Sequence, residues 1–291
     1  MTWIDARPDA PPLGLSGWTL AILRALVLGV VVFGGLGLLL LVRLVERPLC
    51  GAHRPVTPFI TQSVCRAAFP ILGIRYRLEG RPMRQAGAIV ANHSGWLDIF
   101  ALNAAQRIYF VSKSEVARWP GIGWLARATG TVFIRRDPRE TLVQIAVFRE
   151  RLALGHRLLF FPEGTSTDGR RVLAFKPTLF AAFFDDGLRE TMLIQPVSVI
   201  YQAGAGADPR QYGWWGDMAF GPHLLATLSA RRQGSVTVIH HPAIRVADVA
   251  NRKALARALE ETVRSGLAQA GVLDDQPIAA RNAASAATGS S

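Results

Sequence analysis

The sequence predicts an α/β protein, a single domain with a mostly parallel central sheet flanked by helices, preceded by an N-terminal hydrophobic membrane-anchoring helix. Three observations predict it. Strand-like apolar runs alternate with helix-spaced segments from Ile74 to Leu267. Polar, glycine-containing stretches follow those runs, where an open parallel sheet keeps its ligand loops. And 18 consecutive uncharged residues, Ala25 to Val42, stand between Arg24 and Arg43.

In chain order, residues 1–17, with Pro8, Pro11, Pro12 and Gly14, read as a flexible lead, and 18–72 as a membrane-associated helical segment. The uncharged run sits at the lower limit of what crosses a hydrocarbon core of ~30 Å at 1.5 Å per residue. It starts late and lacks a small-residue cleavage site, so an anchor, spanning or dipping into one leaflet, is favoured over a signal peptide. Pro58 to Leu72 has helical spacing. The body, residues 73–270, then alternates: Ile74–Leu78 strand, Ala88–Ala91 strand, Leu97–Ala105 helix and Ile108–Val111 strand. Two short helices flank Pro120-Gly121, and Val132–Ile134 is a short strand. Asp137, Pro138 and Glu140 supply a cap, a first-turn proline and an acid three residues after the cap. Leu142, Ile145, Phe148 and Leu152 follow on one stripe. Leu158–Phe161 is a buried strand, Lys176–Asp185 a helix, Met192–Ile200 and Val236–His240 strands, and Ala254–Leu267 the last amphipathic helix. From Gly271 to Ser291 the Ala, Asn, Gly and Ser content reads as a disordered tail.

Net charge is +12, half the residues are hydrophobic, and mean hydropathy is +0.22. No basic helix interleaves with stacking aromatics, so nucleic acid is not the expected partner. A tethered basic protein suits an anionic lipid surface. Arg43, Arg47, Arg54 and Arg66 follow the apolar run and only Arg7 and Arg24 precede it. That bias favours a cytoplasmic body. The two cysteines, Cys50 and Cys65, read as free thiols of a reducing compartment.

Two segments carry candidate chemistry. Asn92-His93-Ser94-Gly95-Trp96-Leu97-Asp98 places an imidazole at a strand end, five residues before a carboxylate. Asp98 can hold one ring nitrogen while the other acts as a base. Equally, it can be an aspartate that caps the following helix. No further His or Cys lies near enough in sequence to complete a tetrahedral metal set. About 70 residues on, Phe161-Pro162-Glu163-Gly164-Thr165-Ser166-Thr167-Asp168-Gly169 follows another strand. It is either a polar turn or a cradle for a hydroxylated, phosphorylated group. No Gly-x-Ser-x-Gly occurs, so direct transfer by a general base is favoured over a covalent intermediate. Gly130 to Arg136 ends in two arginines, solvated or phosphate-binding. Tyr212 to Met218 reads as a membrane-surface or core aromatic cluster.

Together these blocks resemble the glycerolipid acyltransferase family, of which 1-acylglycerol-3-phosphate acyltransferase is the central member. Asn-His-x4-Asp matches at Asn92, His93 and Asp98. Gly-x-x-Phe-Ile-x-Arg matches across Gly130 to Arg136. Phe-Pro-Glu-Gly-Thr matches at Phe161 to Thr165, and the apolar run ending in Pro-Val at Ile194 to Val197. Ser166 stands where many members carry Arg, and Phe175-Lys176-Pro177-Thr178 replaces the usual Phe-Lys-x-Gly. The Glu163 to Gly169 turn and the Trp214-Trp215-Gly216-Asp217-Met218 segment are similar to bacterial members that acylate lyso-ornithine lipid.

The resemblance implies transfer of a fatty acyl group from acyl carrier protein or coenzyme A to the free hydroxyl of a lysophospholipid such as 1-acylglycerol-3-phosphate. Lyso-ornithine lipid is the alternative acceptor. It implies residues 73–270 as the acyltransferase domain, in a bacterial inner membrane with the body on the cytoplasmic side. His93 would be the general base and Asp98 its orienter. Arg136, Glu163, Gly164, Thr165 and Lys176 would hold the acceptor. Neither metal nor cofactor is implied beyond the thioester co-substrate. Two other classes compete, a catalytically silent lipid-binding copy and a lipid-ester hydrolase.

Overall fold

The computed structural model describes residues 13–119, 121–134 and 141–274. Two antiparallel-running helices come first, α1 (Leu15–Cys50) and α2 (Thr57–Leu72). The 36 residues of α1 extend ~54 Å at 1.5 Å per residue, well beyond the ~30 Å of a bilayer core. The helix starts three residues before the boundary expected at residue 18. Leu26, Val30, Phe33, Leu41 and Leu44 on it are exposed, an arrangement that water disfavours and lipid does not. One side is different. At Gly35 an added Cβ would lie 2.3 Å from Val64 Cγ2, so glycine is what lets α1 close on α2. Glu46 locks the far end: its carboxylate accepts the amides of Val56 (2.8 Å) and Thr57 (3.1 Å) at the start of α2.

The body alternates strand and helix: β1 (Arg75–Gly80), β2 (Gly87–Ala91), α3 (Leu97–Ala105), β3 (Tyr109–Lys113), α4 (Ile122–Thr129), β4 (Val132–Ile134), α5 (Thr141–Ala153) and β5 (Arg157–Phe160). Then come α6 (Asp186–Arg189), β6 (Leu193–Gln202), α7 (Phe220–Ser229), β7 (Ser235–His240), β8 (Ile244–Arg245) and α8 (Arg252–Gln269). The sheet order is β1-β7-β6-β2-β5-β3-β4, with β8 on β6. From β6 to β4 neighbours are parallel, and β7 meets β6 antiparallel. The mostly parallel α/β sheet is therefore as expected.

All five residues of β2 are buried, as suits a central strand covered on both faces. Ile89 and Ala91 join a cluster with Phe69, Leu72, Leu97 and Leu102 from α2 and α3. Ala88 and Val90 face the opposite cluster, with Phe148, Phe180, Phe183, Leu259 and Val263 from α5, the 177–184 segment and α8. That alternation is the strand period of two.

Three differences from the sequence expectation have physical causes. Pro177–Phe184 forms a 3-10 helix, whose three-residue turn stacks buried Phe180 and Phe183 on one face. The helix α7 was not expected, because Gly221 and Pro222 sit in its first turn, where they are tolerated but look like breakers. Residues 271–274, assigned to the tail, pack back: Val272 is buried, and the Asp274 amide donates to Arg170 O at 2.6 Å. The helix start at Asp137 to Glu140, the lead up to residue 12 and the tail from residue 275 lie outside the described residues.

Candidate active site

Strand register creates the site. β2 and β5 pair with Val90 opposite Phe160, so three residues further along each strand positions 93 and 163 leave the sheet side by side. Asn92 fixes the exit. Its side chain donates to Val199 O and accepts from Val199 N on β6, both at 2.8 Å. The chain then turns through Ser94 and Gly95 into α3. A Cβ at Gly95 would lie 2.9 Å from Trp214 Cβ. Only glycine admits the segment that crosses over the turn, where the Trp214 amide donates to Ser94 O at 2.7 Å.

Asp98 is wholly buried in the first turn of α3. Its Oδ2 lies 2.8 Å from His93 Nδ1 and accepts the amides of Ser94 (2.7 Å) and Gly95 (3.0 Å). Its Oδ1 accepts the Tyr201 hydroxyl at 2.9 Å. The two readings of Asp98, orienter and turn cap, are thus one arrangement: the carboxylate ties the turn amides and the imidazole together. Burial, first, and the Asp98 charge hold the Tyr201 phenol well above its ordinary range, so it remains a donor. His93 stacks on Phe161 with centroids 3.9 Å apart and planes 10° apart. Its side chain is 23% exposed. With Nδ1 committed to Asp98, Nε2 is the nitrogen left for a ligand.

Glu163 is placed differently from the head-group contact expected of it. It is 2% exposed, and its two oxygens accept the amides of His93 (2.8 Å) and Leu173 (2.7 Å). Burial and the neighbouring Asp98 charge push its carboxyl up to about 8, against the pull of those two amides and of Arg264. Thr167 completes a clamp on the same residue, its amide donating to His93 O at 2.8 Å. Gly164 and Thr165 are half-buried in the turn between. Gly164 turns with φ 78°, and its amide donates to Phe161 O at 3.1 Å. Lys176 stands where that loop closes, with its amide on Pro162 O at 3.0 Å. Asp168 and Arg171 form a buried bidentate pair with both distances 3.1 Å. The remaining expected contact, Arg136, lies outside the described residues.

The structure therefore brings together His93, Asp98, Glu163, Gly164 and Thr165. Sequence reasoning missed Tyr201, although its two-residue alternation with Val197 and Val199 past the Pro196-Val197 block was a usable signal. It also missed that Tyr212 to Met218 covers the histidine turn. Tyr212 and Trp215 are core residues, as one of the two readings of that cluster held.

A base held by a buried carboxylate at a strand end of a mostly parallel sheet defines a class of group-transfer and hydrolytic sites. The comparisons narrow it. A family model described as acyltransferase matches residues 74–200. The lyso-ornithine lipid O-acyltransferase of Rhodobacter capsulatus is 60% identical over 265 residues, covering 91% of this chain and 96% of that one. A 1-acyl-sn-glycerol-3-phosphate acyltransferase of Neisseria gonorrhoeae is 31% identical over 192 residues, covering 66% and 71%. The crystal structure of the 1-acyl-sn-glycerophosphate acyltransferase of Thermotoga maritima shares the fold, with TM-score 0.64 at 21% identity over 89% of this chain and 98% of that one. The chain belongs to the glycerolipid acyltransferase family. It is an acyltransferase with lipid substrates, and among the described residues α1 is the helix long and apolar enough to cross a membrane.

Proposed function

We propose that this enzyme moves a fatty acyl group from an acyl thioester, on acyl carrier protein or coenzyme A, to the free hydroxyl of lyso-ornithine lipid. The acceptor rests on one observation, 60% identity over nearly the full length of both chains to a protein of that name. Ser166 in place of the family's usual Arg supports it, since a phosphomonoester would want that cation. 1-Acylglycerol-3-phosphate is the second reading, supported by the Neisseria relative.

The 2.8 Å contact between His93 Nδ1 and Asp98 supports a general-base mechanism. His93 Nε2 takes the hydroxyl proton as the acceptor oxygen attacks the thioester carbon. The adduct then collapses with C–S cleavage, and the same proton goes to the departing sulfur. Asp98 fixes the tautomer and favours the imidazolium in between. Gly164, Thr165, Lys176 and Arg136 would contact the acceptor. Glu163 positions the two loops rather than touching substrate. No cofactor beyond the thioester is required. The arginine bias after the apolar run supports a bacterial inner-membrane enzyme with a cytoplasmic body.

The test is purified enzyme in detergent with acyl thioester, offered lyso-ornithine lipid, lysophosphatidate and other lysophospholipids in parallel. Thiol release and an acylated product by mass spectrometry are expected with lyso-ornithine lipid. Background thiol release with every acceptor would overturn the transferase reading, and free fatty acid without acceptor would point to hydrolysis.

A further inference from the structure

At the opposite end of the sheet from His93 lies a cleft of about 140 Å³. It is lined by His53 and Arg54 from the α1–α2 turn, Arg107 and Tyr109 at the start of β3, and His156 and Arg157 at the start of β5. The active-site loop leaves the other end of β5, ~13 Å away at ~3.3 Å per residue. No Asp or Glu is among the described residues that line this cleft.

The cations are held in place by neutral groups. Arg54 donates to Ala128 O at 2.5 Å. Arg157 donates to Arg84 O at 2.8 Å and Arg107 O at 3.3 Å. Arg107 lies over the Phe59 ring, 4.1 Å from its centroid. Arg151 lies over Tyr109 at 4.7 Å. None of these arginines has an ion pair with a described carboxylate. Glu46, an acid near Arg54, is occupied by Arg43, Thr57 and two amides.

A second observation points to a ligand. His156 is 5% exposed, yet neither ring nitrogen has a partner, and Arg151 Nε is also unpartnered. Buried polar groups are nearly always satisfied, and each exception calls for a cause. An oxyanion in the cleft would accept from His156 and favour its protonated, doubly donating form. Burial, aided by the charges of Arg151, His53, Arg54 and Arg157, pulls His156 down to about 3.

Location says where such an anion comes from. The cleft begins three residues after α1 ends, and Leu49, Val56 and Phe59, close in sequence to its lining residues, are exposed by 77%, 50% and 51%. Cations beside exposed apolar side chains match a bilayer surface, which presents phosphates next to acyl chains. We propose that this cleft is a second site, distinct from the active site, for the phosphate of an anionic phospholipid head group. It would hold the leading ends of β3 and β5 against the bilayer that α1 enters. The inference is independent of which lyso-lipid is acylated.

The test uses the full chain with 15N-labelled histidine in zwitterionic detergent, following the His156 ring by NMR. Short-chain phosphatidic acid, short-chain phosphatidylcholine and inorganic phosphate are titrated separately. Phosphatidic acid should shift the His156 signals and move its titration from about 3 towards the ordinary value near 6.5. Inorganic phosphate should act in the same direction at least tenfold more weakly. Arg107→Gln should weaken the phosphatidic acid response about tenfold, with melting checked to confirm that the variant folds. Wild-type His156 signals that ignore all three probes would overturn the site, whatever the variant does. Inorganic phosphate binding as tightly as the lipid would overturn the head-group assignment, and an equal response to phosphatidylcholine would overturn the charge-based recognition.

Discussion

The two ends of one sheet present opposite electrostatic designs. At the trailing ends of β2 and β5, Asp98 gathers four donors and Glu163 gathers two. At the leading ends of β3 and β5, several cations gather with no acid and an unpartnered histidine. At the first end the two carboxylates are fully engaged by protein donors, which fixes the orientation of the imidazole. At the second, both ring nitrogens of His156 and the Nε of Arg151 lack protein partners, as the proposed anion site requires. Engaged carboxylates preorganise a neighbouring side chain, whereas buried polar atoms without partners call for a ligand.

The sharpest way to break this contrast is at the base. His93→Ala should lower kcat by ~10²–10⁴ and leave the melting temperature nearly unchanged. A fall below tenfold would remove His93 from proton transfer. Next, Asp98→Asn places an amide NH2 among donors that need an acceptor, and it should lower kcat by ~10²–10³ through tautomer loss. Unchanged turnover would reduce Asp98 to a turn cap. Glu163→Gln likewise sets an NH2 against the amide of His93 or Leu173, a loss of ~1–3 kcal/mol by urea or thermal unfolding.

Glu163 also predicts a pH dependence. Its carboxyl is raised from 4.5 to about 8 in the folded protein, so folding takes up a proton between those values. Its contribution is full below pH 4.5 and lost as pH rises to about 8. Histidines with lowered values, such as His156, act in the opposite direction only below about 6.5. Melting temperature should therefore decline between pH 6.5 and 8 in the wild type, and that decline should vanish in Glu163→Gln. Smallest of all, Tyr201→Phe keeps the volume and removes one bond to Asp98, for a loss in kcat of about three- to tenfold. A larger KM effect than kcat effect would place Tyr201 elsewhere in the reaction.

Much of this was legible in the chain. The helix at Leu97–Ala105 has the expected bounds, because Gly95 and the Gln106 exit frame an apolar run. The histidine–aspartate pair could be read because its partners are five residues apart, a span that local geometry decides. The role of Glu163 could not. Whether a carboxylate meets a ligand or backbone amides depends on the register of β2 against β5, which pairs residues 70 apart. Tyr201 was hidden for a similar reason, since a tyrosine in a buried strand looks like packing until the strand beside it is known. The basic cleft is further still from sequence reading. Residues 53, 54, 107, 156 and 157 converge only through the topology, and along the chain they look like solvated charges.

The backbone of His93 is gripped on both its N–H and its C=O by one turn, through Glu163 and through Thr167. Any tilt of that turn, whether from a bulkier guest or from inherited change, swings the imidazole with it. A lineage altering its choice of acceptor is thus steered towards edits outside the grip, because remodelling Glu163 to Thr167 itself would mis-aim the imidazole.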